Sequence, residues 1–340
     1  MAARFSVTIK LMSAQEAVVK PRTLQPGDTI GIVAPASPIQ RPLLEAGCQY
    51  LREAGYRTFY FDNIFHEDMY FAGPPDQRAR DIEEMFERDD VSAVLCARGG
   101  YGANYVLPYL RLDKLKKFPK IFMGYSDVTS LLTWMNDAGL VAFHGPMVTK
   151  DFANPNGVHW ATFNACVSGR VNWVLDTHAI PELRAIVRGS GEGILYGGCL
   201  SLLAASIGTQ YEFQQEGKIL FVEDVATKPY QIDRMLMQMK LARKFDGVRG
   251  IIFGEMLDCV QPGGQSYTLE EVIRRILRDL HVPVAFGLPS GHVPYSNISL
   301  PFGVRVSLSA DYDEGVRLEF LESATEARVT SPSVAGKQNA

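Results

Sequence analysis

The chain has 340 residues, 46% of them hydrophobic and 21% charged, which describes an ordinary globular protein long enough for two domains. A net charge of −4 leaves no basic footprint for nucleic acid. Five scattered cysteines (Cys48, Cys96, Cys166, Cys199, Cys259), never in C-x-x-C spacing, argue against a disulfide framework and a zinc cluster and fit a reducing compartment.

Residues 1–20 carry an apolar patch at Phe5–Met12 that Lys10 interrupts, so no signal peptide is expected. No run approaches a membrane span, and the expected location is the cytoplasm. From Thr29 the pattern alternates. Thr29–Ala34 is a buried strand, and Pro42 opens a helix bearing Leu43, Leu44 and Leu51 that stops at Gly55. Tyr56–Phe61 is a second strand, and Asp76–Arg88 a second helix with Ala79, Ile82, Met85 and Phe86 on one face. Val91–Ala97, Ile121–Met123 and Val141–Phe143 are further strands. Strands joined by helices predict a doubly wound parallel sheet that binds ligands beyond its strands' carboxyl ends. Residues 151–185 lose this period and read as a crossover, with turn signals at Asn154–Gly157 and Pro181. Beyond it, Lys218–Val222, Gly250–Gly254, Pro283–Phe286 and Val304–Leu308 are strands. Pro229 opens a helix with Ile232, Met235, Leu236 and Met239, and Thr268–Glu271 is a capping box. The expected organisation is an extension (1–20), an α/β domain (21–150), a linker (151–185), a smaller β-rich domain (186–322) and a frayed tail (323–340).

Ser126 is the residue of greatest interest. In Gly124-Tyr125-Ser126-Asp127 it stands between a strand and a helix carrying Val128, Leu131, Leu132 and Met135. That placement resembles the nucleophile elbow of serine hydrolases, without the second glycine of G-x-S-x-G. It equally suits a helix N-cap. A serine nucleophile needs a base and a carboxylate that orients it. Of six histidines (His66, His144, His159, His178, His281, His292), His292 in Pro289-Ser290-Gly291-His292 and His144 in Phe143-His144-Gly145-Pro146 both follow strands. Glu223 and Asp224 end a buried strand and are equal candidates for the carboxylate. Arg98-Gly99-Gly100-Tyr101-Gly102 is either a ligand-facing loop or a tight turn. H-E-x-x-H, the P-loop and G-x-G-x-x-G are absent, so metal and nucleotide chemistry have no support.

These motifs, with Pro229-Tyr230-Gln231-Ile232-Asp233-Arg234 and the opening Leu24-Gln25-Pro26-Gly27-Asp28, resemble in order those of the LD-carboxypeptidases, the muramoyltetrapeptide carboxypeptidases. The resemblance runs from about Pro21 to Leu308. It implies a serine peptidase without metal or other cofactor, with Ser126 as nucleophile, His292 as base and Glu223 orienting the imidazole. Backbone N–H groups of Gly100 and Asp127 would form the oxyanion hole. It further implies an N-terminal domain similar to class I glutamine amidotransferases, a homodimer, and removal of the terminal D-alanine from murein tetrapeptide during wall recycling. A sister branch cleaves microcin C-type antibiotics. Gly99, Tyr101, Arg98 and Arg234 are candidate substrate contacts, the arginines for a free carboxylate. Either arginine is as readily a solvated surface charge.

Overall fold

The computed structural model describes residues 18–328 apart from positions 262 and 265. The apolar patch at Phe5–Met12 and the tail beyond 328 lie outside the described residues. In the first part, buried apolar strands alternate with amphipathic helices: β1 (Thr29–Val33), α1 (Arg41–Glu53), β2 (Arg57–Phe59), α2 (Pro75–Glu87), β3 (Ala93–Cys96), α3 (Leu112–Lys117), β4 (Ile121–Gly124), α4 (Thr129–Asp137) and β5 (Ala142–His144). Pro42 and Pro75 sit in the first turns of α1 and α2, where a missing N–H costs no helical bond. The strands β5-β4-β3-β1-β2 are all parallel. The chain reverses its direction of winding between β1 and β3. Above that switch point lie Pro35–Ser37 and Arg98–Gly102, where an α/β sheet places its ligand crevice.

Residues 151–185 are more ordered than their pattern predicts. They contain α5 (Trp160–Val167) and β6 (Trp173–Val174). Helix α5 is apolar on several sides, because Phe163, Ala165, Cys166 and Val167 are all buried, so no one-sided period marks it.

The remaining elements are β7 (Arg184–Val187), β8 (Gly189–Cys199), α6 (Leu200–Ser206), β9 (Lys218–Val225), α7 (Pro229–Leu241), β10 (Gly250–Leu257), α8 (Leu269–Leu277), β11 (Val284–Leu288), β12 (Leu300–Phe302), β13 (Arg305–Asp311) and β14 (Gly315–Phe320). The second sheet is eight-stranded, β6-β14-β13-β8-β9-β10-β11-β7, with β8 to β11 parallel and the flanking strands antiparallel. Leu200, Leu203, Ile232, Leu236, Ile273 and Ile276 of its helices cover Tyr196, Leu220, Val222 and Ile251 of its strands.

Two segments cross the expected boundaries. Strand β12 leaves the second unit and pairs antiparallel with β5 at the edge of the first sheet. Its approach brings the β11–β12 loop, which carries His292, over the first sheet's carboxyl ends. Residues 323–328 are packed rather than frayed: Ala324 and Thr325 are buried, and the Glu326 N–H donates to the Pro21 carbonyl.

Candidate active site

Ser126 stands two residues past the end of β4, and its backbone is left-handed, with φ 63°. A non-glycine residue there is strained, by about 1 kcal/mol. The helix-cap reading is therefore overturned. Tyr125 occupies the cap position of the short helical turn Ser126–Val128, and no side chain caps it. The conformation instead lifts the Ser126 hydroxyl off the end of β4.

His292 receives that hydroxyl. Its Nε2 lies 2.9 Å from Ser126 Oγ, and its Nδ1 lies 2.7 Å from Glu223 Oε2. The His292 backbone N–H also donates to Oε2, at 3.2 Å. Glu223 is fully buried. Burial pushes its pKa up, but the imidazoles of His292 and His144 outweigh that and hold it at about 2. An ionised carboxylate only accepts, so the His292 Nδ1 carries a proton and Nε2 offers a lone pair to the Ser126 O–H. Gly291 makes this approach possible. Its φ is +97°, and a Cβ there would lie 2.6 Å from Glu223 Oε2.

Strand β9 extends through Val225, so Glu223 and Asp224 lie inside a strand and not beyond its end. Alternation then separates the two equal candidates. Glu223 faces the histidine. Asp224 faces the other way, accepting from the backbone N–H groups of Ser201 (2.9 Å) and Val225 (2.8 Å) and from the Thr227 hydroxyl (2.9 Å).

The glycine loop sits against the serine. A Cβ on Gly99 would lie 2.8 Å from Ser126 Cβ, so only glycine permits this contact. The N–H groups of Gly100 and Asp127 make no hydrogen bond to other described residues. The Asp127 side chain is turned inward, accepting the Ala103 N–H at 2.6 Å, and burial pushes its pKa to about 6. Tyr101 donates its N–H to Ser37 Oγ at 3.0 Å and exposes its ring beside Tyr70, Phe71 and Tyr105. Arg98 is exposed near the loop and donates to the Pro38 carbonyl at 3.2 Å. Arg234 is not gathered with these residues. It lies on the exposed face of α7, its guanidinium 5.5 Å from the Tyr230 ring centroid.

Sequence reasoning missed three supports. Arg78 is buried and donates to the carbonyls of Pro35, Gly73 and Gly102, tying together the loops above the switch point. Its signal was a charge beside the apolar face of α2. Ser37 anchors Tyr101. Lys150 donates to the Tyr125 hydroxyl (2.8 Å) and the Val293 carbonyl (3.2 Å), joining the lobes behind His292. Among the described residues, no group of three or more His, Cys, Asp or Glu is placed to hold a metal, and no helix is long and apolar enough to cross a membrane.

The chain is similar to known proteins over most of its length. Sequence profiles of the LD-carboxypeptidase N-terminal and C-terminal domains match residues 30–145 and 192–308. The probable murein peptide carboxypeptidase of Bacillus subtilis (strain 168) is 37% identical over 293 residues, covering 85% of this chain and 91% of that protein. The microcin C7 self-immunity protein MccF of Escherichia coli is 28% identical over 318 residues, covering 84% and 91%. The crystal structure of muramoyltetrapeptide carboxypeptidase from Oxalobacter formigenes superimposes with a TM-score of 0.77 at 27% identity, covering 87% of this chain and 99% of that one.

Proposed function

The chain belongs to the LD-carboxypeptidase family, and we propose that it is a metal-independent serine carboxypeptidase that removes the terminal D-alanine from murein tetrapeptide. Carboxypeptidase activity on murein peptides is what its relatives' names indicate. The observation that carries the serine mechanism is the continuous Ser126–His292–Glu223 chain, with links of 2.9 and 2.7 Å assembled from both lobes.

In this reading the Ser126 hydroxyl attacks the carbonyl that joins meso-diaminopimelate to D-alanine. Its proton passes to His292 Nε2, and Glu223 stabilises the imidazolium. The negative tetrahedral oxygen is held by the N–H groups of Asp127 and Gly100, each worth about 3–4 kcal/mol of barrier. Asp127 serves through its backbone, since its carboxylate is occupied with Ala103. His292 then gives its proton to the leaving D-alanine amine, and water, deprotonated by His292, releases the acyl-enzyme. The enzyme works in the cytoplasm, as a homodimer, in wall recycling. Incubation with tetrapeptide free of sugar, followed by mass spectrometry, should show loss of one alanine that EDTA does not prevent. An intact tetrapeptide after prolonged incubation would overturn the substrate assignment. A second reading, cleavage of a microcin C-type peptide–nucleotide, is favoured by the similarity to MccF, and a parallel incubation with that compound distinguishes the two.

A further inference from the structure

Glu223 has a second oxygen, and a second histidine faces it. Oε2 takes two N–H bonds from His292, while Oε1 is buried without a hydrogen-bond partner. The atom opposite is Nε2 of His144, at 4.0 Å, and it too is buried without a partner. His144 is the last residue of β5, wholly inaccessible to solvent, its ring 5.8, 4.9 and 5.5 Å from those of Tyr125, Phe221 and Phe302. Its other nitrogen, Nδ1, lies 3.2 Å from Ser290 Oγ, two residues before His292.

A buried carboxylate oxygen and a buried imidazole nitrogen rarely both stay unpaired, and one proton between them satisfies both. The Ser290 hydroxyl decides where that proton sits. It lies 2.7 Å from the Ile298 carbonyl as well as within reach of Nδ1, and it has one hydrogen to give. Turned to Ile298, it must accept from Nδ1–H, which leaves a bare lone pair on Nε2 facing a negative charge. Turned to Nδ1, it leaves the ring's own proton on Nε2, aimed at Oε1. A hydrogen bond to a charged acceptor outweighs a neutral hydroxyl–carbonyl bond, so the second arrangement is preferred. Burial lowers the His144 pKa, which keeps the ring neutral with this single proton.

Building on the serine-peptidase reading, we propose that His144 is a positioning residue that donates Nε2–H to Glu223 Oε1, extending the triad to Ser126–His292–Glu223–His144–Ser290. The bond closes from 4.0 Å to the usual length of about 2.7–2.9 Å as the carboxylate turns toward the ring. With Oε1 held, Oε2 keeps one bearing on His292 while charge develops on the imidazole. His144 touches no substrate; it acts through Glu223.

The test compares His144→Phe with His144→Gln in the full chain. Phenylalanine fills the aromatic box without a donor, and glutamine returns an N–H near the position of Nε2. His144→Phe should lower kcat on tetrapeptide about tenfold with KM within about twofold, and His144→Gln should recover most of the loss. In parallel, the downfield proton NMR resonance of the His292 Nδ1–H, assigned through its loss in His292→Gln, should move in the phenylalanine variant and return toward its wild-type position in the glutamine variant. Near-wild-type kcat and resonance in both variants would overturn the inference, as would equal impairment of both, which would make ring shape and not the donor decisive. The resonance needs no substrate. A wild-type enzyme that leaves tetrapeptide intact therefore defeats the substrate assignment while the resonance still decides the role of His144.

Discussion

The two lobes build their halves of the site by different physical means. The first lobe contributes backbone: a left-handed serine at φ 63°, a glycine turn pressed against it, and the Gly100 and Asp127 N–H groups, which bond to no other described residue. The second contributes side chains: a buried carboxylate that holds an imidazole by one hydrogen bond and the backbone N–H of the same histidine by another. Conformational strain sits on one side, and electrostatic pairing on the other. The contrast teaches that the two halves should fail differently. Damage to the first changes the reaction through geometry, and damage to the second through charge.

The sharpest way to break that contrast is to remove a reacting group from each side. Ser126→Ala and His292→Ala should each lower kcat by at least about 10⁴-fold, and the double variant should be little worse than either, because the residues act as one unit. Steady-state kinetics on tetrapeptide checks this. Multiplicative losses in the double variant would show that the two lobes contribute independently.

A smaller effect should come from the hinge of the side-chain half. In Gly291→Ala the new methyl would meet the Glu223 carboxylate at about 2.6 Å on a backbone that alanine resists. The expected loss is about 10²–10³-fold in kcat with the fold retained, measured against the wild-type circular dichroism spectrum. Unchanged turnover would mean that the Glu223–His292 contact tolerates displacement.

Much of this was legible in the sequence, for identifiable reasons. Strands β1, β3 and β4 are continuous apolar runs because they are covered on both faces, and α1 and α2 are one-sided. The glycine loop, Ser126 and His292 each lie in a turn just past a strand, and Glu223 closes a run of apolar residues. What was hidden is whatever depends on contacts between distant segments. Nothing in Gly124-Tyr125-Ser126-Asp127 distinguishes a cap from a left-handed serine, and the sheet alone decides it. Glu223 and Asp224 become different only once β9 is seen to run through both. His144 and His292 competed as bases, whereas the fold places them on opposite oxygens of one carboxylate. Arg234 followed the family motif and lies instead on an outer helix face.

Asp151 tests whether buried charge in the first lobe costs stability where the paired charge of the second does not. It is 3% exposed and accepts the Met147 N–H at 2.8 Å, but burial pushes its pKa up to about 6 against the pull of Lys150. A raised folded-state value means that the folded state holds the proton more tightly. Its contribution to stability is complete below pH of about 4 and is lost as pH rises through about 6, a change of about 2–3 kcal/mol. Glu223 runs the other way: its depressed value adds stability above its ordinary range, lost only as pH falls toward about 2. Urea unfolding across pH 4–7 should therefore show a downward slope that Asp151→Asn makes shallower, the part due to Asp127 and Asp137, which burial also raises to about 6, remaining; asparagine still accepts from Met147. A slope identical in the variant would remove Asp151 from its sources.

The finest test asks what the strain at Ser126 is for. Glycine adopts φ 63° freely, so Ser126→Gly should relieve the left-handed penalty, while Ser126→Ala should keep it. Glycine also gains freedom in the unfolded chain, which offsets part of the relief. The hydroxyl's bond to His292 is lost equally in both variants and cancels when they are compared. What remains is the strain less the unfolded-chain entropy of glycine, and Ser126→Gly should exceed Ser126→Ala in unfolding free energy by about 0.5 kcal/mol, with both inactive. An alanine variant as stable as the glycine variant would mean that the turn is unstrained, and that the elbow is shaped by packing against Gly99 rather than held against its own preference. A glycine advantage would locate the stored strain at the residue that reacts, where the first lobe's contribution to catalysis is made through backbone shape.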